Sequence, residues 1–312
     1  MTTDTTTLNL AFDPQNPDRA YWGTFDNGLW KTDDRGQTWS NTGKDAISSP
    51  QIMSVAVSPL NGGNRFNRVY AGTEPSAFYI SNDGGESWER TEALNALPLS
   101  KSWSFPPRPW THHVRWIDPD ASNPDYVFVA IEAGALVQSR DGGRTWIDRV
   151  ERGPYDTHTL ATHQKAPKRL YSAARDGYFQ SFDYGETWSR PMEGLRHGYL
   201  VGLAVDSGNP DTLILSASNG PFKSFSPSDA ETFVYRKDED STDSKVVSNG
   251  LPEPGGTTIS ILASNQKVPG EFYAVNNRGI FISADSGDSD LDTQWPREYL
   301  LHTPWALAIS EE

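Results

Sequence analysis

The chain has 312 residues, a formal net charge of −14 and no cysteine. The length allows a large buried core, and the acidic balance argues against nucleic acid and an anionic membrane surface as partners. Without cysteine there is no disulfide framework and no thiolate metal site. The N-terminal residues lack a basic region followed by an apolar segment, and no apolar run is as long as a membrane span, so we expect a cytoplasmic protein.

A repeated pattern of strands organises the chain. Each repeat begins with an apolar strand that runs into a turn rich in Asp, Pro and Asn. The clear copies are residues 10–18, 55–59, 116–125 and 203–211, and the looser ones are residues 160–163 and 262–265. A second predicted strand follows each turn, at residues 19–24, 68–73, 126–131, 169–174, 212–217 and 271–275.

A third strand then runs into an octet that has Ser or Thr first, Asp third, Gly fifth and Trp eighth. Complete copies are residues 32–39, 81–88, 139–146 and 181–188, and altered copies are residues 226–233 and 283–287. The hydroxyl and carboxylate can bond nearby backbone amides, Gly supplies positive φ, and Trp buries apolar surface. The octet is therefore predicted to be a hairpin turn between the third and fourth strands. Its Asp residues are interpreted as structural, since they recur in every complete copy.

Octets spaced 42 to 58 residues apart predict an all-β fold, a six-bladed β-propeller of four-stranded antiparallel blades. A seventh full blade cannot be assembled from the remaining residues. The single domain, residues 1–312, would contain blades at residues 6–45, 52–95, 113–152, 157–195, 200–245 and 257–300, and a strand at 304–310 that closes the ring. Residues 91–112 form a long aromatic- and Pro-rich connection, and residues 236–256 are predicted to be a solvated loop.

The loops between second and third strands differ from blade to blade, and such loops commonly carry function on a repeated scaffold. His113 and His158 occupy the same position before the first strands of adjacent repeats, which predicts that they are neighbours at the mouth of the channel, with Arg115, Tyr155 and Asp156 close by. The competing interpretation is that each imidazole only bonds a loop carbonyl.

The candidate catalytic residues are His113, His158, Arg175 and Tyr155. The candidate ligand-binding residues are Arg115, Glu74, Glu132, Asp176, Asn219, Asn277, Arg278, His197, His302, Trp103 and Trp110. Histidines also suit a divalent metal ion, with His113, His158 and His197 as candidate ligands, and the spacing leaves open whether an ion is bound.

The octets resemble those of the Asp-box, or BNR-repeat, propeller superfamily over nearly the whole chain. This superfamily includes sialidases, xyloglucan-cleaving glycosidases, sortilin-type receptors and a photosystem assembly factor, so the resemblance implies a fold and not an activity. A sialidase would carry an Arg-Ile-Pro signature, and Arg108-Pro109 is the nearest match, so sialidase activity is not expected. The xyloglucan-cleaving enzymes imply a pair of propellers, each with a catalytic Asp. Propeller lyases and lactonases are similar in residue type, with His, Tyr and Arg near the channel.

Two classes of function follow from these residues. The first is a hydrolase or lyase that acts on a carbohydrate or a small organic acid or lactone at a His- and Arg-lined funnel, with or without a metal ion. The second is a non-catalytic propeller that binds a protein or glycan partner, of which a pseudo-sialidase that retains only sugar binding is a variant.

Overall fold

The computed structural model describes residues 7–238, 243–287 and 304–310. The chain divides into two compact units, residues 1–167 and residues 168–311. Its strands form six antiparallel sheets of three or four strands each. This confirms the prediction of an all-β chain built from short antiparallel sheets. None of the described helices has the length and apolar character of a membrane span.

The first unit contains strands β1 to β12 and one 3₁₀ helix. One sheet joins β1 (Thr7–Asp13), β2 (Asn16–Thr24), β3 (Leu29–Thr32) and β4 (Ser40–Thr42), and the next joins β5 (Ile52–Val57), β6 (Val69–Thr73), β7 (Phe78–Ser81) and β8 (Glu89–Thr91). The 3₁₀ helix Pro98–Ser102 precedes a sheet of β9 (Val114–Pro119), β10 (Val127–Ile131) and β11 (Ala135–Ser139), and β12 is Thr157–Ala161. The apolar side chains of neighbouring sheets pack together, for example Phe78 with Val114 and Val129.

The second unit is built from the same kind of short antiparallel strands. Strands β13 (Leu170–Ala174) and β14 (Gly177–Ser181) form a hairpin. A four-stranded sheet follows, with β15 (Tyr199–Val205), β16 (Leu213–Ser218), β17 (Thr232–Lys237) and β18 (Lys245–Val247). The final sheet joins β19 (Ile261–Ser264), β20 (Phe272–Asn276) and β21 (Gly279–Ser283).

The complete octets are the predicted hairpin turns, and residues 139–146 show how they work. The Ser139 hydroxyl donates to Asp141 Oδ1 at 2.8 Å and accepts from the amide of Gly143 at 2.8 Å. Asp141 also accepts from the Thr145 amide at 2.8 Å and the Thr145 hydroxyl at 2.6 Å. Gly143 has φ +94°, where a side chain would be strained. The carboxylate is therefore fully used within its own turn.

Glycine at the fourth octet position has a packing reason. A Cβ on Gly84 would lie 2.8 Å from Arg19 Nη1, and one on Gly142 would overlap Arg68 Nη1. These arginines come from the start of the second strand in the preceding sheet, and Arg68 donates to the Pro124 carbonyl at 3.0 Å. The paired glycines thus leave room for a side chain that links one sheet to the next turn.

The altered octet at residues 226–233 contradicts its prediction. It precedes the third strand of its sheet instead of following it, because β17 pairs with β16 from Ser218↔Thr232 to Leu213↔Lys237. Ser228 and Ala230 stand at the Asp and Gly positions, so neither the acceptor carboxylate nor the glycine of the turn is present. The fourth strand, β18, lies within the segment predicted to be a solvated loop.

Three further predictions need correction or stay untested. In two repeats the fourth strand is reduced to a single bridge, Gln138↔Ile147 and Gln180↔Ser189. Residues 304–310 form no strand, although Trp305 stacks on Phe225 with ring centroids 5.5 Å apart. The fourth strand predicted in the last blade lies outside the described residues.

Replacing the octet carboxylate should destabilise the fold. We expect Asp141→Ala to lower the free energy of unfolding by about 1–2 kcal/mol, because it removes an acceptor of several hydrogen bonds at a partly solvated site. Urea unfolding measures the change. The control is Arg144→Ala in the same turn, whose exposed side chain should matter by less than about 0.5 kcal/mol. Equal effects of the two variants would contradict the structural role of the aspartate.

The octet hydroxyls should also control the titration of their aspartates. The Thr38 side-chain hydrogen bond is the main cause that holds the pKa of Asp34 below its usual value. A lowered pKa stabilises the fold above the pKa of the unfolded chain, and this contribution is lost as pH falls through the folded pKa. We therefore expect Thr38→Ala to raise the pKa of Asp34 and to be less stable than wild type at neutral pH, with the difference closing as pH falls through the folded pKa of Asp34. NMR titration and urea unfolding test this, with Gln37→Ala as control; an unchanged Asp34 pKa in Thr38→Ala would refute it.

Candidate functional site

The first unit brings together a group of charged and imidazole side chains from the ends of neighbouring strands. His113 and Glu132 are paired through the backbone, since the Glu132 amide donates to the His113 carbonyl at 3.2 Å. This group, called the Glu132 cluster below, consists of Glu74, Arg108, His113, Arg115, Glu132, Asp156 and His158. The predicted proximity of His113, His158, Arg115 and Asp156 is thus found in the structure, where the carboxylate of Glu132 links the two imidazoles.

The Glu132 carboxylate is the centre of the cluster. Its Oε2 lies 3.1 Å from Arg115 Nε and 3.9 Å from His113 Nε2, and its Oε1 lies 3.8 Å from His158 Nε2. The side chains of Glu132 and Arg115 keep 16% and 24% of their surface exposed, whereas those of His113 and His158 keep 5% and 3%. A ligand from solvent would therefore meet Glu132 and Arg115 before it met the imidazoles.

Asp156 lies beside His158 and is itself held by a backbone hydrogen bond. Its Oδ1 lies 3.8 Å from His158 Nε2 and accepts a hydrogen bond of 2.7 Å from the Ala133 amide. Because Ala133 follows Glu132 in the chain, the same turn that presents Glu132 also fixes Asp156. Both Asp156 and His158 are buried, and a buried carboxylate needs partners of this kind.

A second carboxylate, Glu74, ties the long connection to the cluster. Arg108 Nη2 and Nε donate to its two oxygens at 2.6 and 3.1 Å, and His113 Nδ1 lies 3.3 Å from Oε2 without hydrogen-bond alignment. Burial alone would raise the pKa of Glu74, but His113 and Arg108 outweigh it and lower the pKa below its usual value. Phe105 lies edge-on to the His113 ring, with centroids 4.9 Å apart.

The aromatic connection is an ordered turn that exposes one ring. Phe105 and Thr111 are joined by a backbone hydrogen bond of 2.8 Å, and Arg108 donates to the Phe105 carbonyl at 2.8 Å. Trp103 is buried and lies edge-on to His112, whereas Trp110 is 81% exposed. Arg108 was not among the predicted site residues, since only the path of this turn brings it to Glu74, 34 positions away.

The other predicted site residues have different surroundings. Tyr155 is 47% exposed, with the Arg149 guanidinium 5.5 Å from its ring centre. In the second unit, His197 Nε2 lies 2.7 Å from Glu231, Asn219 and Asn277 bond loop backbone, Arg278 lies beside Gly256, and Arg175 and Asp176 are exposed. His302 lies outside the described residues.

The side chains that could bind a metal ion in the structure differ from the predicted set of histidines. Among the described residues, the group whose ligand atoms lie within 4.8 Å of one another is Glu132, Asp156 and His158. The predicted set of His113, His158 and His197 is replaced by one imidazole and two carboxylates. Counting positions along repeats located the histidines, but the carboxylates come from turns whose geometry the spacing does not specify.

No family model matches the chain. It is 33% identical to a probable oligoxyloglucan-reducing end-specific xyloglucanase of Neosartorya fischeri, over 66% of this chain and 35% of that protein. The chain spans between 23% and 35% of the length of the curated relatives it matches.

Solved structures show the fold. The GH74 xyloglucanase of Xanthomonas campestris aligns with a TM-score of 0.72 and 17% identity, over 98% of this chain and 49% of that one. YCF48, solved with a D1 peptide, aligns with a TM-score of 0.63 and 19% identity, over 94% and 83%. These likenesses support a propeller-type fold.

Removing the guanidinium that holds the aromatic connection should loosen it. In Arg108→Ala the buried Glu74 loses its two-point partner, and we expect a loss of about 2 kcal/mol together with faster hydrogen exchange at the Phe105 and Thr111 amides. Exchange measured by mass spectrometry checks this.

Arg90→Ala is the matched control, because it breaks an exposed pair with Glu92 in the same unit and should cost less than about 1 kcal/mol. If exchange in the connection were equally slow in both variants, the anchoring role of Arg108 would be wrong.

Proposed function

We propose that the chain is a carbohydrate hydrolase whose reaction takes place at the Glu132 cluster. The observation that carries the proposal is the partly exposed Glu132 carboxylate, which lies 3.1 Å from Arg115 and within 3.9 Å of two buried imidazoles. The xyloglucanase relative, 33% identical over two thirds of this chain, supports a carbohydrate substrate.

Hydrolysis of a glycosidic bond requires a base for water and an acid for the leaving oxygen. In the proposed mechanism Glu132 activates the water, because it is the most exposed carboxylate of the cluster that carries imidazole contacts. His113, whose Nε2 lies 3.9 Å from Glu132 Oε2, would hold and return the proton. Arg115 and Arg108 would bind hydroxyl oxygens of the sugar, since guanidinium groups are strong donors.

We also propose that the sheets close into a six-bladed ring of the Asp-box superfamily. Such a ring would place the Glu132 cluster at the mouth of its central channel. Sialidase activity is not proposed.

A binding propeller without catalysis is the second candidate. The observation that favours it is burial, since His113 and His158 are only 4% and 2% exposed. In that case the imidazoles would support the turns, and Glu132, Arg115 and the exposed Trp110 would contact a glycan or protein partner.

The two candidates differ in their response to Glu132→Gln. The substrates are xyloglucan oligosaccharides, and release of reducing ends measures hydrolysis. We expect wild type to hydrolyse at least one of these xyloglucan oligosaccharides. Glu132→Gln should lose about 10²- to 10⁴-fold in rate while still binding the same oligosaccharide. The neutral amide keeps the shape of the side chain, so its unfolding midpoint should stay near that of wild type.

Glu86→Gln is the matched control, because Glu86 is an exposed glutamate of the same unit and should leave the rate unchanged. Hydrolysis by Glu132→Gln at the wild-type rate would contradict the proposed site. Binding without hydrolysis by wild type would favour the second candidate.

A further inference from the structure

We infer that the Glu132 cluster contains a binding site for one divalent transition-metal ion, with Glu132, Asp156 and His158 as its protein ligands. The inference deepens the proposed function, and its catalytic consequence rests on that function. Binding of the ion itself does not require hydrolysis.

The distances allow a single ion to reach all three side chains. His158 Nε2 lies 3.8 Å from Glu132 Oε1 and 3.8 Å from Asp156 Oδ1, and the three ligand atoms lie within 4.8 Å of one another. Metal bonds of about 2.1 Å in a tetrahedral site place ligand atoms ~3.4 Å apart. The two imidazole–carboxylate distances of 3.8 Å would need to shorten by about 0.4 Å, and the distance between the carboxylate oxygens, at most 4.8 Å, by up to about 1.4 Å, which the flexible glutamate side chain can provide.

The surrounding residues orient two of the ligands. The Ala133 amide donates to Asp156 Oδ1 at 2.7 Å and holds that carboxylate at the site. Arg115 contacts Glu132 through Oε2, so the opposite oxygen, Oε1, faces His158. Hydrogen bonds that orient metal ligands are characteristic of metal sites in proteins.

The charge of the cluster favours a cation. The three carboxylates of Glu74, Glu132 and Asp156 outnumber the two guanidinium groups of Arg108 and Arg115. A buried excess of negative charge is costly unless a cation or a proton offsets it.

A second observation points to the same place. His113 is 4% exposed, its Nδ1 lies 3.3 Å from Glu74 Oε2 without hydrogen-bond alignment, and its Nε2 faces Glu132 Oε2 at 3.9 Å. From this position the Nε2 of His113 could hydrogen-bond Oε2 of Glu132 while Oε1 of the same carboxylate binds the ion.

The ligand types indicate which ion. One imidazole nitrogen and two carboxylate oxygens suit Zn²⁺ or Mn²⁺ better than Ca²⁺ or Mg²⁺, which take oxygen ligands. Three protein ligands leave a coordination position open on the side where Glu132 is exposed. Such an ion would lower the pKa of a bound water and so provide the nucleophile of the proposed hydrolysis.

Isothermal titration of the chelator-treated full chain with ZnCl₂, and separately with MnCl₂, tests the inference. We expect one equivalent of at least one of the two ions to bind wild type. The affinity should fall about 100-fold or more in His158→Ala and in Asp156→Asn. His197→Ala is the matched control, since that histidine is paired with Glu231 and should leave the affinity unchanged.

Thermal unfolding with and without the ion accompanies each titration, so that a variant that fails to fold is recognised. Glu132→Gln is the second variant, because it is nearly isosteric and should also weaken binding. No binding by wild type, or equal binding by wild type and folded Glu132→Gln, would overturn the inference.

Hydrolysis is measured separately on the same samples. Undiminished hydrolysis by the metal-free protein would overturn the catalytic role of the ion and leave the proposed function standing. Ion binding without hydrolysis by the loaded protein would contradict the proposed function and leave the metal site standing.

Discussion

The candidate site depends on the cost of burying charge. Glu132, Asp156 and Glu74 sit where strands end, and each carboxylate is stabilised only by the groups placed around it. Arg115, Arg108 and the backbone amide of Ala133 provide these partners, and the imidazoles of His113 and His158 occupy the space between them. Because the groups compensate one another, the cluster should behave as one unit in which the loss of a single member affects the others.

The octets make this arrangement possible. Each complete octet uses its Ser or Thr, Asp and Gly to close a turn, as Ser139, Asp141 and Gly143 do, and a turn amide also donates to a neighbouring loop, as that of Gly142 does to the Asp125 carbonyl. The strands are thereby held while the turns that follow β6 and β10 are free to differ. One carries Glu74, the other carries Glu132, and the ligand-contacting chemistry proposed for this protein rests on that difference.

Much of this could be predicted from the sequence because it repeats. The second strands and the complete octets lie where their patterns place them, and equal positions in adjacent repeats brought His113 and His158 together. The altered octet at residues 226–233 misled the prediction because residual similarity remained after the Asp and Gly had been replaced. Arg108 was missed because its ion pair with Glu74 depends on the path of a long connection, which no local pattern encodes. The pairing of His197 with Glu231 is of the same kind.

The claim that Glu132 and His158 act as one unit is tested most directly by a double-mutant cycle. The free energies of unfolding of wild type, Glu132→Gln, His158→Ala and the double variant would be measured with a chelator present. The account predicts an interaction energy of about 1 kcal/mol or more between the two side chains. Additivity within about 0.5 kcal/mol would contradict it, since independent residues could not form a shared site.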